Sequence, residues 1–163
     1  MQKHELIELI HKAFKNARRP KDDNLPINAR GEYFAPLRVE DWRTISYESI
    51  IECQEAIEFH TNPQWLIFLL PAFLTRVLEN REDGRAIEDT IVICLTPPAL
   101  RRHITLEGEE KFLKFINLLG KEEYYVFYEF LQFVAKDQLA DIVDDSSILW
   151  AIRYWGYKSV FPS

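Results

Sequence analysis

Hydrophobic positions recur at helical spacing along most of this chain. From Gln2 to Ala17, a step of about 100° per residue gathers Leu6, Leu9, Ile10, Ala13, Phe14 and Ala17 on one side. His4, Glu8, His11 and Lys15 fall on the other, and Pro20 stops the predicted helix. Residues 20–40 hold three prolines and Gly31, so a long ordered loop is expected there, pinned by Tyr33, Phe34 and Leu37. Glu40 to Ile45 reads as a short turn inserting Trp42. Ser46 then suits the N-cap of a helix to about His60, with Glu48 in its first turn. On that helix Ile50, Cys53, Ala56 and Ile57 face inward, while Glu48, Glu52 and Glu55 line the outside.

The run Trp65 to Leu74 is apolar throughout and carries Pro71. Ten residues are too few for a bilayer, which needs about 20. Asn62-Pro63 supplies an N-cap followed by proline at the first helical position. Pro71 lacks an N–H and disfavours helical geometry before it, so the pattern predicts two short buried helices meeting at Pro71. Residues 80–85 read as a turn. The β-branched stretch Thr90 to Leu95 suits a strand or a short buried helix; with no second strand to pair with, residues 86–95 are read as helix, ended by Thr96-Pro97-Pro98. A helix from Gly108 to Leu119 puts Phe112, Phe115, Ile116 and Leu119 on one face. Lys121 to Lys136 is apolar around most of its circumference and is therefore expected to be central. Asp145 or Ser146 caps a last helix running through Trp150 and Trp155 to about Tyr157. The expected fold is all-α: one compact helical bundle of about six to eight helices with a proline-broken central pair. It divides into an N-terminal helix (1–19), a long loop (20–40) and a helical core (41–157).

Composition supports one self-sufficient core. Of 163 residues, 47% are hydrophobic and 13% aromatic, so neither disulfide nor metal is needed to stabilise the fold. Cys53 and Cys94 lie in apolar contexts without a CxxC or Cys/His pairing, and read as buried thiols of a cytoplasmic protein. The charged N-terminus is unlike a signal or transit peptide, and no lipidation signal is visible. A net charge of −6 argues against nucleic acid as the main partner. The charge is also uneven. No Lys or Arg occurs between Thr44 and Thr75, or between Asp137 and Ile152.

Three segments together resemble a known family. They are Trp65 to Leu74 with its Leu70-Pro71-Ala72-Phe73 core, the Leu95-Thr96-Pro97-Pro98 break, and the terminal Ala151-Ile152-Arg153-Tyr154-Trp155. In this order, with Phe130-Leu131 between the second and third, they resemble a family of uncharacterised, mostly bacterial proteins marked by a Leu-Pro-Ala-aromatic helix start and a near-terminal Tyr-Trp. The resemblance covers roughly Asp41 to Trp155 and implies no activity. Phe68 and Leu69 stand where that pattern has tyrosines.

Candidate chemistry is sparse. Glu8-Leu9-Ile10-His11 gives a Glu-x-x-His spacing, but a di-metal bundle needs a second such motif, absent here, and the His-Glu-x-x-His zinc spacing is not met. The five glycines are isolated and build no phosphate loop. No catalytic, metal or cofactor residue is assigned. Tyr124, Tyr125, Phe127 and Tyr128 read as core packing rather than a base-stacking platform. Two readings stay open. One is a non-enzymatic interaction module, immunity- or inhibitor-like, binding a basic protein through Glu48, Glu52 and Glu55 and through Asp141, Asp144 and Asp145. The other is a small enzyme with a site between His60, the Pro71 break and the long loop, where Glu55 and Glu58 would supply carboxylates. Trp150 and Trp155 are either an anchor sealing the bundle or an exposed aromatic patch. A homo-oligomer formed through such a patch is a third reading, which nothing in the sequence specifically indicates.

Overall fold

Helix α1 (Lys3–Ala13) begins where the Glu5 carboxylate accepts the Gln2 backbone N–H at 2.6 Å, satisfying one of the donors that a helix start leaves open. Leu6, Ile10, Ala13 and Phe14 are buried, the face set by the helical period. The helix stops at Ala13, short of the expected Ala17. The computed structural model describes residues 1–21, 25–27, 30–32, 34, 38–57, 62–81, 85–98, 106–138 and 146–161. Most of the anticipated 20–40 loop, Tyr33 and Leu37 included, therefore lies outside the described residues; Phe34 is buried.

A 3₁₀ turn, Trp42–Thr44, inserts Trp42 into the core. Ser46 caps α2 (Tyr47–Glu52) by accepting the Ser49 N–H at 3.2 Å. The helix expected to reach His60 ends at Glu52, and the chain tightens into a second 3₁₀ turn, Gln54–Ile57. The tighter turn stacks Cys53 over Ala56 and keeps all four expected inward residues, Ile50, Cys53, Ala56 and Ile57, fully buried.

Helix α3 (Pro63–Glu79) corrects the expectation of a proline-broken pair, because Pro71 sits inside one continuous helix. Its missing N–H and its ring clash cost about 3 kcal/mol. Against that, Trp65, Leu66, Phe68, Leu69 and Leu70 are buried before the proline and Phe73, Leu74, Val77 and Leu78 after it. Each large apolar side chain contributes about 1.5–3 kcal/mol on burial, so packing on both sides outweighs the local defect. The start is as the sequence implies: the Asn62 side chain accepts the Gln64 N–H at 2.9 Å, with Pro63 in the first turn.

The remaining helices are α4 (Arg85–Leu95), α5 (Leu106–Asn117), α6 (Lys121–Gln138) and α7 (Ser146–Val160). The ambiguous 86–95 segment is thus helical, and no strand occurs among the described residues. Helix α3 packs against α1, α2, α4 and α5, while α6 packs most extensively on α7 and also meets α1 and α4. The protein is an all-α bundle with α3 and α6 at its centre. Gly156 lets α7 approach α6 closely: a Cβ there would stand 3.0 Å from the Tyr128 ring.

Helix C-termini share one device. No described residue other than Gly31 has positive φ, so the helices whose following residues are described end without a left-handed glycine cap. Buried aromatic donors take that role at three of them. Trp42 Nε1 donates to the Phe14 carbonyl at the end of α1 at 3.3 Å. Trp155 Nε1 donates to the Leu95 carbonyl of α4 at 2.7 Å, and Tyr124 Oη to the Ile116 carbonyl of α5 at 2.9 Å. The Thr96 hydroxyl takes a second carbonyl of α4, that of Val92, at 2.7 Å. The Leu95 and Val92 carbonyls gain a donor in this way. The Phe14 and Ile116 carbonyls also accept the Ala17 and Leu119 N–H groups at 3.0 Å, so there Trp42 and Tyr124 add a second bond.

Candidate interaction faces

The side chains with chemical potential fall on two outer faces and one polar seam. Along α2 and the 3₁₀ turn that continues its face, Glu48, Glu52 and Glu55 are all exposed. Its own backbone N–H, and next the Ser46 hydroxyl, hold the Glu48 carboxyl below the usual range, which keeps it ionised. Ile51 lies among these carboxylates and is half exposed, a feature the sequence reading passed over although the i, i+3, i+4 spacing of Glu48, Ile51 and Glu52 contains it. The other proposed acidic residues, Asp141, Asp144 and Asp145, lie outside the described residues, as do Glu58 and His60.

The seam joins α1, the Trp42 turn and α3. The Arg76 guanidinium donates from Nε to the Ile45 carbonyl at 2.8 Å, from Nη2 to the Arg43 carbonyl at 2.6 Å, and from Nη1 to Glu79 at 2.7 Å. Arg43 pairs with Asp41 at 3.0 Å and stands 4.9 Å over the Trp42 ring. The Arg43 backbone N–H, followed by its side chain, holds the Asp41 carboxyl below its ordinary value. His11, placed on the outer side by the sequence pattern, instead sets its ring edge-on to Trp42 at 5.0 Å. Burial chiefly, then the Arg43 and Arg76 charges, lowers its pKa from 6.5, while Glu79 and Asp41 act in the opposite direction.

A depressed histidine pKa gives stability a defined pH dependence. Above the unfolded value near 6.5 both states are neutral at His11 and its contribution is fully present. Below it the unfolded chain takes up the proton first, so stability falls as pH drops through the lowered folded value. Urea midpoints at about pH 8 and about pH 5 should therefore differ less for His11→Gln than for the parent chain. Equal differences would show that His11 does not carry the effect.

Catalytic and metal chemistry gain no support from the geometry of the described residues. No group of three or more potential ligands is placed to hold a metal among the described residues, so the Glu8–His11 spacing recruits no further ligand. Cys53 and Cys94 are buried and unbridged, and burial pushes the Cys53 thiol up to about 12, far from a reactive thiolate. The Pro71 break, one of three features between which the enzyme reading set its site, is absent: Pro71 lies buried between Leu70 and Ala72 in the core. His60 and part of the long loop lie outside the described residues.

The C-terminal tryptophans part company. Trp155 is fully buried against Phe127 and Tyr154, with ring centroids 5.0 Å away in each case, and near Tyr124 at 5.8 Å. Burial pushes the neighbouring Tyr154 hydroxyl up to about 12. Trp150 is half exposed, with Arg153 5.3 Å over its ring. The two therefore do not form one patch. Of the four aromatic residues expected in the core, Tyr124 and Phe127 are buried and Tyr128 packs partly buried against it, whereas Tyr125 is exposed on the outer side of α6. The outer face of α7 was legible only by carrying the helical wheel past Tyr157 to Phe161, beyond the expected end.

No helix among the described residues is long and apolar enough to cross a membrane. Neither a protein-family model, nor a curated protein, nor a solved structure matches the chain.

Proposed function

We propose that this protein is a non-enzymatic interaction module that receives a basic protein partner on the α2 face. The observation that carries this reading is the exposed set Glu48, Glu52 and Glu55 around the half-exposed Ile51. An apolar centre with a charged rim is the anatomy of a docking surface, in which the rim charges steer encounter and the centre holds the complex. The surrounding sequence sharpens the field, since no Lys or Arg lies between Thr44 and Thr75. A cytoplasmic immunity- or inhibitor-like role is the class that such a small acidic domain suits.

The test is capture from the source cells on immobilised protein, followed by association kinetics with the purified partner. The E48K/E52K/E55K variant should slow association by roughly 10–100-fold at low ionic strength, and added salt should slow the parent chain in the same direction. Binding indifferent to both salt and charge reversal would overturn the proposal.

A further inference from the structure

The outward face of α7 is nearly bare of charge. Among its described side chains the exposed ones are Leu149, Trp150, Arg153, Tyr157 and Val160, and Phe161 follows directly. Exposure is 44% at Leu149, 49% at Trp150, 63% at Tyr157, 60% at Val160 and 55% at Phe161. Positions 149, 153, 157 and 160 follow the helical period, so these residues form one stripe rather than scattered exceptions. The face is internally ordered as well: Arg153 covers Trp150, and the Tyr157 and Phe161 rings stack at 5.1 Å. On α5, by contrast, the exposed Leu106 and Leu113 alternate with Glu107, Glu109, Glu110 and Lys114. The α7 stripe amounts to roughly 600 Å² of half-exposed apolar residues, at the upper end for a surface patch of a monomer.

We propose that this stripe is a self-association surface on which α7 of a second copy packs antiparallel about a two-fold axis. The order of residues is self-complementary in that arrangement. With the axis midway between Arg153 and Tyr157, Arg153 of each copy faces the Tyr157 ring of the other, a cation–π contact. Leu149 then meets Phe161, and Trp150 meets Val160, so apolar groups cover apolar groups on both sides. The two Arg153 charges are offset by four residues, about 6 Å along the helix axis, whereas a parallel pair would set them face to face. The pair buries up to about 1,200 Å², the lower bound for specific, stable interfaces.

This surface is independent of the acidic α2 face and differs from it in salt response. Two copies each carrying a net charge of −6 repel at long range, so salt should strengthen the homodimer while weakening capture of a basic partner.

Sedimentation velocity of the full chain across micromolar concentrations reads the proposal directly. A reversible monomer–dimer equilibrium is expected, tightening as salt is added. Tyr157→Lys places a lysine against Arg153 of the second copy and should weaken the dimer by roughly tenfold or more. Tyr157→Glu pairs with the same arginine and should retain it. Position 157 is exposed, and an unchanged far-UV circular dichroism spectrum checks that each variant folds. Glu52→Lys should leave the dimer intact, which separates failure here from failure of the acidic-face reading. A strict monomer would overturn the proposal, and so would a dimer indifferent to the sign of charge at position 157. Co-sedimentation of a monomeric chain with phosphatidylcholine vesicles, lost in Tyr157→Lys, would assign the stripe to a lipid surface instead and would equally overturn it.

Discussion

Trp155→Ala should destabilise the fold by about 3–5 kcal/mol, the range for removing a fully buried large aromatic. Its indole fills the space among Phe127, Tyr154, Tyr124 and Phe112, with the last ring centroid at 6.2 Å. Those neighbours belong to α5, α6 and α7, so a cavity there would loosen three helices at once. Part of that cost is a lost hydrogen bond. The Leu95 carbonyl, an open acceptor at the end of α4, has Trp155 Nε1 as its donor at 2.7 Å, and an interior carbonyl left without one costs about 1–3 kcal/mol. Trp155→Phe separates the two contributions. It keeps much of the ring packing but removes the donor, so its cost should lie clearly below that of alanine without vanishing. At roughly 2–4 °C per kcal/mol for a chain of this size, Trp155→Ala should lower the melting temperature by about 10 °C. Urea titration followed by circular dichroism checks both variants. An alanine cost below about 1 kcal/mol would mean that Trp155 is not a core anchor.

The same residue explains which parts of the molecule were legible in advance. Helical periodicity identified the buried faces of α1, α2 and α6, because each is a local pattern of side chains three and four residues apart. The segment after Arg85 was read correctly by elimination, since a lone strand would leave its backbone groups unpaired. Local rules misjudged Pro71 and the end of α2. At Pro71 the burial of flanking residues overrides a defect that would end an isolated helix. At Cys53 the chain tightens to keep Ala56 and Ile57 inside. The carbonyl clamps could not be seen at all. Trp42 reaches back 28 residues to Phe14, and Trp155 reaches back 60 to Leu95. Only after folding does Leu95, which opens the Leu95-Thr96-Pro97-Pro98 break, acquire its partner at Trp155, joining two motifs that look unrelated along the chain. The acidic face was legible as charge, but its apolar centre at Ile51 and the stripe on α7 become meaningful only once exposure is known.

Arg76→Met should cost about 2–3 kcal/mol, although the residue is neither apolar nor fully buried. Methionine keeps the length and packing of the aliphatic stem, so the change isolates the guanidinium. That group binds two backbone carbonyls, those of Arg43 and Ile45, and one carboxylate, Glu79. Hydrogen bonds to a charged group contribute about 1.5–3 kcal/mol each; with the arginine side chain 25% exposed, solvent compensates part of the sum. Arg76→Lys should recover less than half of the loss, because a single ammonium cannot reproduce a planar fork that engages Ile45 and Arg43 together. The guanidinium is also among the charges that hold the His11 pKa down, so in Arg76→Met the His11 titration followed by NMR should move up toward its ordinary value. The two readouts have different causes. Loss of stability reports the carbonyl clamp, and the histidine shift reports the charge. Between Arg43 and Ile45 the clamp fixes the segment that leads directly into Ser46 and α2, so releasing it should also weaken partner capture on the Glu48, Glu52 and Glu55 face without altering that face's charge. Unchanged capture by a destabilised Arg76→Met chain would show that α2 holds its orientation without the clamp, through the burial of Ile50 and Ile57 alone.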